Sequence, residues 1–210
     1  ICNPRIGSDL VLVVIDAATG ELVSEHNADQ LMLPASNLKI VTAVGAIATM
    51  GTDRRFSTKV RAGTGPSDLI LEGGGDPLLT STELQALAAQ VAPTLPAGTK
   101  VVVHVDDDLF AEPGKGPGWT NGYQPYVAAP IGSLARVSDY SRDPAGNAAK
   151  VFAKALRGLG LRVKIGPAAN ADAAAPTLAE SAGHTVGDAV AVMLSWSDNN
   201  VAEVLFRQIA

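Results

Sequence analysis

The chain has 210 residues, 47% of them hydrophobic, and a net charge of −5. That length and apolar content suffice for one large or two small domains with a substantial core. The lack of a basic run argues against a nucleic-acid surface, and no apolar stretch reaches the length of a membrane-spanning helix.

In chain order, residues 9–15 (Asp9 to Ile15) read as a buried strand, residues 16–20 as a turn and residues 21–26 as the partner strand of a hairpin. Pro34 closes the following loop and favours a helix start just after it, so residues 36–50 read as an apolar helix that Gly51 ends. Phe56 to Val60 alternates like a strand, and residues 69–71 form another. The Gly73-Gly74-Gly75-Asp76-Pro77 run reads as a tight turn, since no Gly-Lys-Ser/Thr follows to make it a phosphate cradle. A short helix is expected over residues 82–91, then a strand over residues 100–105 running into Asp106-Asp107-Asp108. Three acids in a row suit either a hard cation or a solvated strand end. Residues 111–132, rich in Gly and Pro and carrying Trp119, Tyr123 and Tyr126, form a long loop, a type of segment often used for function. Asp143-Pro144 opens a helix over residues 145–159, residues 161–165 form a strand, and helices follow over residues 185–194 and 199–209. Glu203 and Arg207 are spaced to pair on the last helix.

The lone cysteine, Cys2, is either free or paired outside the chain, and the scattered His26, His104 and His184 offer no zinc-binding spacing. They read as surface or strand residues, so no metal site is expected. No leader peptide is visible, so any export signal is expected to have been removed.

Two motifs carry chemistry. Ser36 and Lys39 stand three residues apart at the head of an apolar helix, a spacing that puts both on one face. A serine is a poor nucleophile until a base takes its proton, and a lysine at the start of a buried helix is pushed toward its neutral, basic form. Ser197-Asp198-Asn199 lies 161 residues beyond Ser36. Its hydroxyl can pass a proton to a leaving amine, and its carboxamide can hold a substrate amide. Each motif alone is also ordinary capping and turn chemistry. Together with Lys-Thr-Gly, they form the set found in penicillin-binding proteins and class A β-lactamases.

The order of further segments makes the resemblance specific. Leu33 to Lys39, Gly73 to Pro77, Val105 to Phe110, Gly116 to Trp119, Asp143 to Ala145 and Ser197 to Glu203 together resemble the penicillin-binding protein 4 family of D-alanyl-D-alanine carboxypeptidases. The resemblance implies an α+β fold: a transpeptidase-type domain of helices around an antiparallel sheet, with a mixed α/β domain inserted between the first two motifs. The expected division is residues 1–54 and 167–210 for the catalytic domain, and residues 55–166 for the insert.

The resemblance further implies an exported enzyme of the periplasm or cell envelope that acts on peptidoglycan stem peptides, needs no cofactor and is acylated by β-lactams. Ser36, Lys39, Ser197 and Asn199 are its catalytic residues, and Asp106 matches an aspartate that reads the side-chain amine of diaminopimelate. Two departures stand out. Residues 133–143 are too short for the further nested domain usual in the family, and Lys-Thr-Gly does not occur in the chain. The sequence therefore reads as a truncated or split polypeptide, with the third motif lost or held in a second chain. A non-catalytic envelope protein that binds peptidoglycan or penicillin is the main alternative. A class A β-lactamase fits less well, because its two motifs lie closer together.

Overall fold

The structure, a computed structural model, describes residues 10–111, 114–124 and 127–210. Cys2, Asp9 and Tyr126 lie outside the described residues. The chain divides into two compact units, residues 1–38 and residues 39–210.

In the first unit the expected hairpin forms, but its first strand, expected to be buried, is largely exposed. Strand β1 (Leu12–Ile15) pairs antiparallel with β2 (Leu22–His26), with a bulge between Val14 and Ile15. Asp16 builds the turn: its Oδ1 accepts from the N–H groups of Thr19 and Ala18 at 2.9 and 2.8 Å. These bonds, that of Thr19 first, hold the Asp16 carboxyl below the usual range. The sequence places a helix start at Ser36, but Ala35–Asn37 is a 3-10 turn and the regular helix α1 (Leu38–Met50) begins two residues later. Ala35 has a φ of 46°, which cannot belong to a right-handed helix. Asn37 N–H closes the tight turn on the Pro34 carbonyl at 3.0 Å.

The second unit carries β3 (Arg55–Phe56), β4 (Lys59–Ala62), β5 (Asp68–Glu72), α2 (Ser81–Val91), β6 (Lys100–Asp106) and α3 (Pro144–Gly158). It continues with β7 (Arg162–Ile165), β8 (Thr177–Glu180), β9 (His184–Thr185), α4 (Val186–Trp196) and α5 (Asn199–Ile209). Local chemistry starts α2, α3 and α4. Thr80 and Glu83 form a reciprocal capping box on α2, as Thr185 and Asp188 do on α4. Asp143 caps α3 through Gly146 N–H, with Pro144 at its first position.

Five strands form a mixed sheet in the order β7-β6-β5-β4-β8, with β5–β6 and β6–β7 parallel and β4 antiparallel to both neighbours. Helices α2 and α3 connect the parallel strands and pack on each other and on the sheet. The core they share includes Leu69, Leu71, Leu84, Leu87, Val101, Val103, Phe152 and Leu156. This is a self-contained two-layer α/β body.

Two differences from the sequence reading concern its borders. The expected strand from Phe56 to Val60 is two strands: β3 pairs with β9 and β4 with β5 and β8. The edge strand β8 has no strong pattern of its own, and its pairing with β4 carries the sheet past residue 166 to Glu180. The glycine run is a matter of close approach. A Cβ at Gly74 would collide with the Ser57 carbonyl, and Gly75 takes a φ of 72°.

A second core joins α1, α4 and α5 through Ala43, Ala46, Val186, Ala189, Met193, Val201 and Leu205. The long loop is partly tied down. Gly114 and Ile131 exchange backbone hydrogen bonds, and Trp119 packs beside Phe110, Ile131 and Val204.

Candidate active site

Helix α1 buries Lys39, Ala43 and Ala46 along one stripe. Lys39 is 8% exposed. Burial pushes its amine below the ordinary lysine range, against the opposing pull of the Asp198 carboxylate. Its Nζ lies 2.6 Å from Asn199 Oδ1 and donates to it. Two residues 160 positions apart in sequence therefore meet in one hydrogen bond.

The Ser197-Asp198-Asn199 segment is the elbow between α4 and α5, and each residue has a local reason. Ser197 ends α4 in the left-handed region at φ 55°, ψ 37°. Asp198 caps α5, its Oδ1 accepting from Val201 N–H at 3.0 Å. Asn199 is the first residue of α5, and its Nδ2 donates to the Val127 carbonyl at 3.1 Å while its Oδ1 faces Lys39. The adjacent Asn200 accepts from Ala129 N–H at 2.9 Å. Asn199 and Asn200 thus pin the end of the long loop to the elbow. Tyr140 hydroxyl reaches Asp198 Oδ2 at 3.5 Å, and burial, followed by the Asp198 charge, raises the phenol above its ordinary range.

An open cleft of about 620 Å³ lies beside this elbow, walled by Val127, Ser138, Tyr140, Trp196 and Ser197 to Asn199. Ser138 and Ser197 both have positive φ, at 60° and 55°. Left-handed non-glycine residues cost free energy and gather at functional sites. In the first unit, Ser36 occupies the 3-10 turn directly after left-handed Ala35.

Lys39 and Asn199 are therefore brought together in the second unit, and Ser197 and Asn199 line the cleft; Asp106 is not a wall of it. It ends β6, 8% exposed, with Oδ2 accepting from Ala171 N–H at 2.7 Å and Oδ1 from Asp108 N–H at 3.3 Å. Asp107 faces another way, and its Oδ1 accepts from Leu134 N–H at 2.5 Å and Ser133 Oγ at 3.3 Å. Burial pushes the Asp107 carboxyl up to about 6. Asp106 and Asp107 are loop anchors, not a solvated acidic end. The sequence reading passed over Tyr140, Ser138 and Asn200. Asn200 adjoins the motif and could have been included; Tyr140 and Ser138 carry no pattern that singles them out.

The described chain has no helix long and apolar enough to cross a membrane. A D-alanyl-D-alanine carboxypeptidase from an Actinomadura species is 35% identical over 130 residues, which is 59% of this chain and 24% of that protein. A carboxypeptidase from Mycobacterium tuberculosis is 31% identical over 235 residues, covering 99% of this chain. This chain spans about half of the mycobacterial protein, 49% of its length. Among solved structures, penicillin binding protein 4 from Haemophilus influenzae superposes with a TM-score of 0.78 at 18% identity, over 94% of this chain and 61% of that one, a likeness of fold. The family model of the D-Ala-D-Ala carboxypeptidase 3 (S13) family matches residues 1–138 and 132–210, and the chain belongs to that family.

Proposed function

We propose that this chain supplies the nucleophile, base and second motif of a serine D-alanyl-D-alanine carboxypeptidase acting on peptidoglycan stem peptides. The observation that carries the reading is the buried Lys39, its amine displaced toward neutrality and bonded to Asn199 of the Ser-Asp-Asn elbow. Burial disfavours the charged amine, which suits a group that is to accept a proton.

In the proposed reaction, Ser36 Oγ attacks the carbonyl carbon of the penultimate D-Ala while neutral Lys39 takes the hydroxyl proton. The tetrahedral intermediate collapses and the carbon–nitrogen bond breaks. The terminal D-Ala leaves as an amine after Ser197 relays it the proton held by Lys39. Water then attacks the Ser36 ester, releasing the shortened peptide and restoring the hydroxyl. Asn199 holds Lys39 in place and offers its amide to the substrate backbone. The Ser36 backbone N–H provides one oxyanion donor, a contribution of about 3 kcal/mol for donors of this type. A β-lactam is attacked by the same serine and stops at the acyl-enzyme. The chemistry requires no cofactor, and its substrate places the protein outside the cytoplasm, in the periplasm or cell envelope.

Asp106 enters the proposal as the reader of a side-chain amine on the stem peptide. Its Oδ1 accepts from Asp108 N–H and its Oδ2 from Ala171 N–H, and each oxygen keeps further lone-pair capacity. The missing Lys-Thr-Gly strand, with the second oxyanion donor, is assigned to polypeptide outside this sequence. Support comes from α1, which leaves Ile40, Val41, Val44 and Ile47 exposed on the side away from its buried stripe. A helix apolar on all sides is one that is covered on all sides.

The test is to incubate the complete protein with a penicillin and map the adduct by mass spectrometry. A covalent adduct on Ser36 is expected. An adduct elsewhere with Ser36 unmodified overturns the assignment, and no adduct together with no release of D-Ala from a D-Ala-D-Ala peptide favours a non-catalytic binding protein.

A further inference from the structure

Three side chains outside the cleft converge from three elements. Asp76 follows the glycine run, Glu83 lies in the first turn of α2, and His184 starts β9. One ligand atom from each lies within 4.8 Å of the other two. His184 Nδ1 is 3.0 Å from Asp76 Oδ2 and 3.8 Å from Glu83 Oε1. The Asp76 side chain is fully buried, while His184 and Glu83 are 30% and 25% exposed.

Each carboxylate is fixed by bonds that leave an oxygen turned toward the imidazole. Asp76 Oδ1 accepts from Leu78 N–H at 2.9 Å, and Oδ2 is set by His184 N–H at 3.1 Å. Glu83 gives Oε2 to the capping box, accepting from Thr80 N–H at 2.8 Å and Oγ1 at 2.7 Å, so Oε1 remains for His184. Two carboxylates fixed around one nitrogen make a site with a negative balance that calls for a cation.

We propose that Asp76 Oδ2, Glu83 Oε1 and His184 Nδ1 form a binding site for a divalent cation of the zinc class. Nitrogen and carboxylate ligands bind such ions at about 2.0–2.2 Å, which puts tetrahedral donors about 3.3 Å apart. The observed separations bracket that spacing, and a small inward shift of Glu83 closes the set. The exposed side of His184 and Glu83 leaves room for water as the fourth ligand. The cation takes the place of the hydrogen bond between His184 and Asp76. It ties the glycine run and the start of α2 to β9, whose Thr185 caps α4. The role is structural and independent of the acyl-transfer reading. The ligands are 7 and 101 residues apart in sequence, so no short-spacing pattern could reveal them.

The test uses the complete polypeptide without an affinity tag, stripped with a chelator and titrated with Zn²⁺ by calorimetry and with Co²⁺ by visible absorption. Saturable 1:1 binding is expected, and Zn²⁺ at about 100-fold excess over Kd should raise Tm by about 5 °C. His184→Gln and Glu83→Gln should each weaken binding at least about tenfold. Both variants are chosen to fold: glutamine can keep the capping box, and the His184 backbone N–H is untouched. No saturable binding up to millimolar metal overturns the proposal. So does undiminished binding in both variants.

Discussion

The two cores of the second unit are built on opposite plans. In the sheet core, large side chains point inward: Leu69, Leu71, Leu84, Leu87, Phe152 and Leu156 are all buried. In the helical core, α1 packs inward through Ala43 and Ala46, and its large residues face outward, with Ile40 57%, Val41 66% and Val44 63% exposed. The first arrangement closes on itself. The second brings backbones close together around Lys39 and Asn199 and leaves apolar surface uncovered. The sheet body thus supplies stability, while the helical side supplies the buried amine, the strained elbow and the cleft. Substitutions on the two sides should therefore separate loss of fold from loss of chemistry.

The largest effect is expected at Lys39. Lys39→Arg keeps a cation but cannot offer a neutral amine near neutral pH. Penicillin acylation of the complete protein should fall by about 10³-fold or more, typical of losing a general base that activates a nucleophile, while Tm changes little. Acylation within a few-fold of wild type would remove Lys39 from the role of base and blur the division between the two sides.

Phe152→Ala should show the converse. Phe152 is completely buried between α3 and the sheet, and its truncation should cost about 3–5 kcal/mol by chemical denaturation. Val44→Ala, on the exposed face of α1, is the control. It should cost less than about 0.5 kcal/mol in the 210-residue chain and more in the complete protein if further polypeptide covers that face. Equal costs in both contexts would mean that α1 stays uncovered.

Much of this plan was legible in sequence, and the exceptions have physical causes. Capping residues before α2, α3 and α4, the apolar run of α1 and the valine-rich run of β6 all act locally, so these elements stand near their expected places. The Ser-Asp-Asn segment was legible as chemistry but not as geometry, because its left-handed serine and helix cap form only once α4 and α5 pack. Strand β8 was missed because pairing with β4, not its own composition, makes it a strand. Of the two readings of the Asp106-Asp107-Asp108 run, the solvated strand end does not hold for Asp107. Its burial comes from the loop around Ser133 and Leu134, 26 and 27 residues downstream.

Asp107 also tests the sheet side by pH. Its folded-state carboxyl titrates at about 6 against an ordinary value of 3.8. A raised carboxyl favours the folded state below the unfolded pKa, and that contribution is lost as pH rises through the folded value. At pH 7.5 the folded protein therefore carries a penalty of at most about 3 kcal/mol for the buried carboxylate. Asp107→Asn keeps an oxygen to accept from Leu134 N–H and removes the charge. It should stabilise the protein at pH 7.5, with the gain shrinking toward zero near pH 4. Denaturant midpoints at the two pH values measure this, and a difference that does not vary with pH would show that titration of Asp107 is not its source.

The smallest effect concerns the strain in the elbow. Ser197 sits at φ 55°, ψ 37°, a conformation that glycine adopts without penalty and alanine does not. Ser197→Gly relieves that strain but gives back part of the gain through greater freedom in the unfolded chain. The net change should be a stabilisation of up to about 1 kcal/mol, a rise in Tm of about 2 °C for a chain of this size. Ser197→Ala keeps the strain and should not be stabilised. Both variants lack the hydroxyl, so both should acylate more slowly if Ser197 carries protons to the leaving group. This pairing separates the two roles of one residue: the backbone effect splits glycine from alanine in Tm, and the side-chain effect groups them in rate. A glycine variant less stable than wild type would mean that the hydroxyl supports the fold. The elbow would then belong with the stabilising side of the molecule and not with the reactive one.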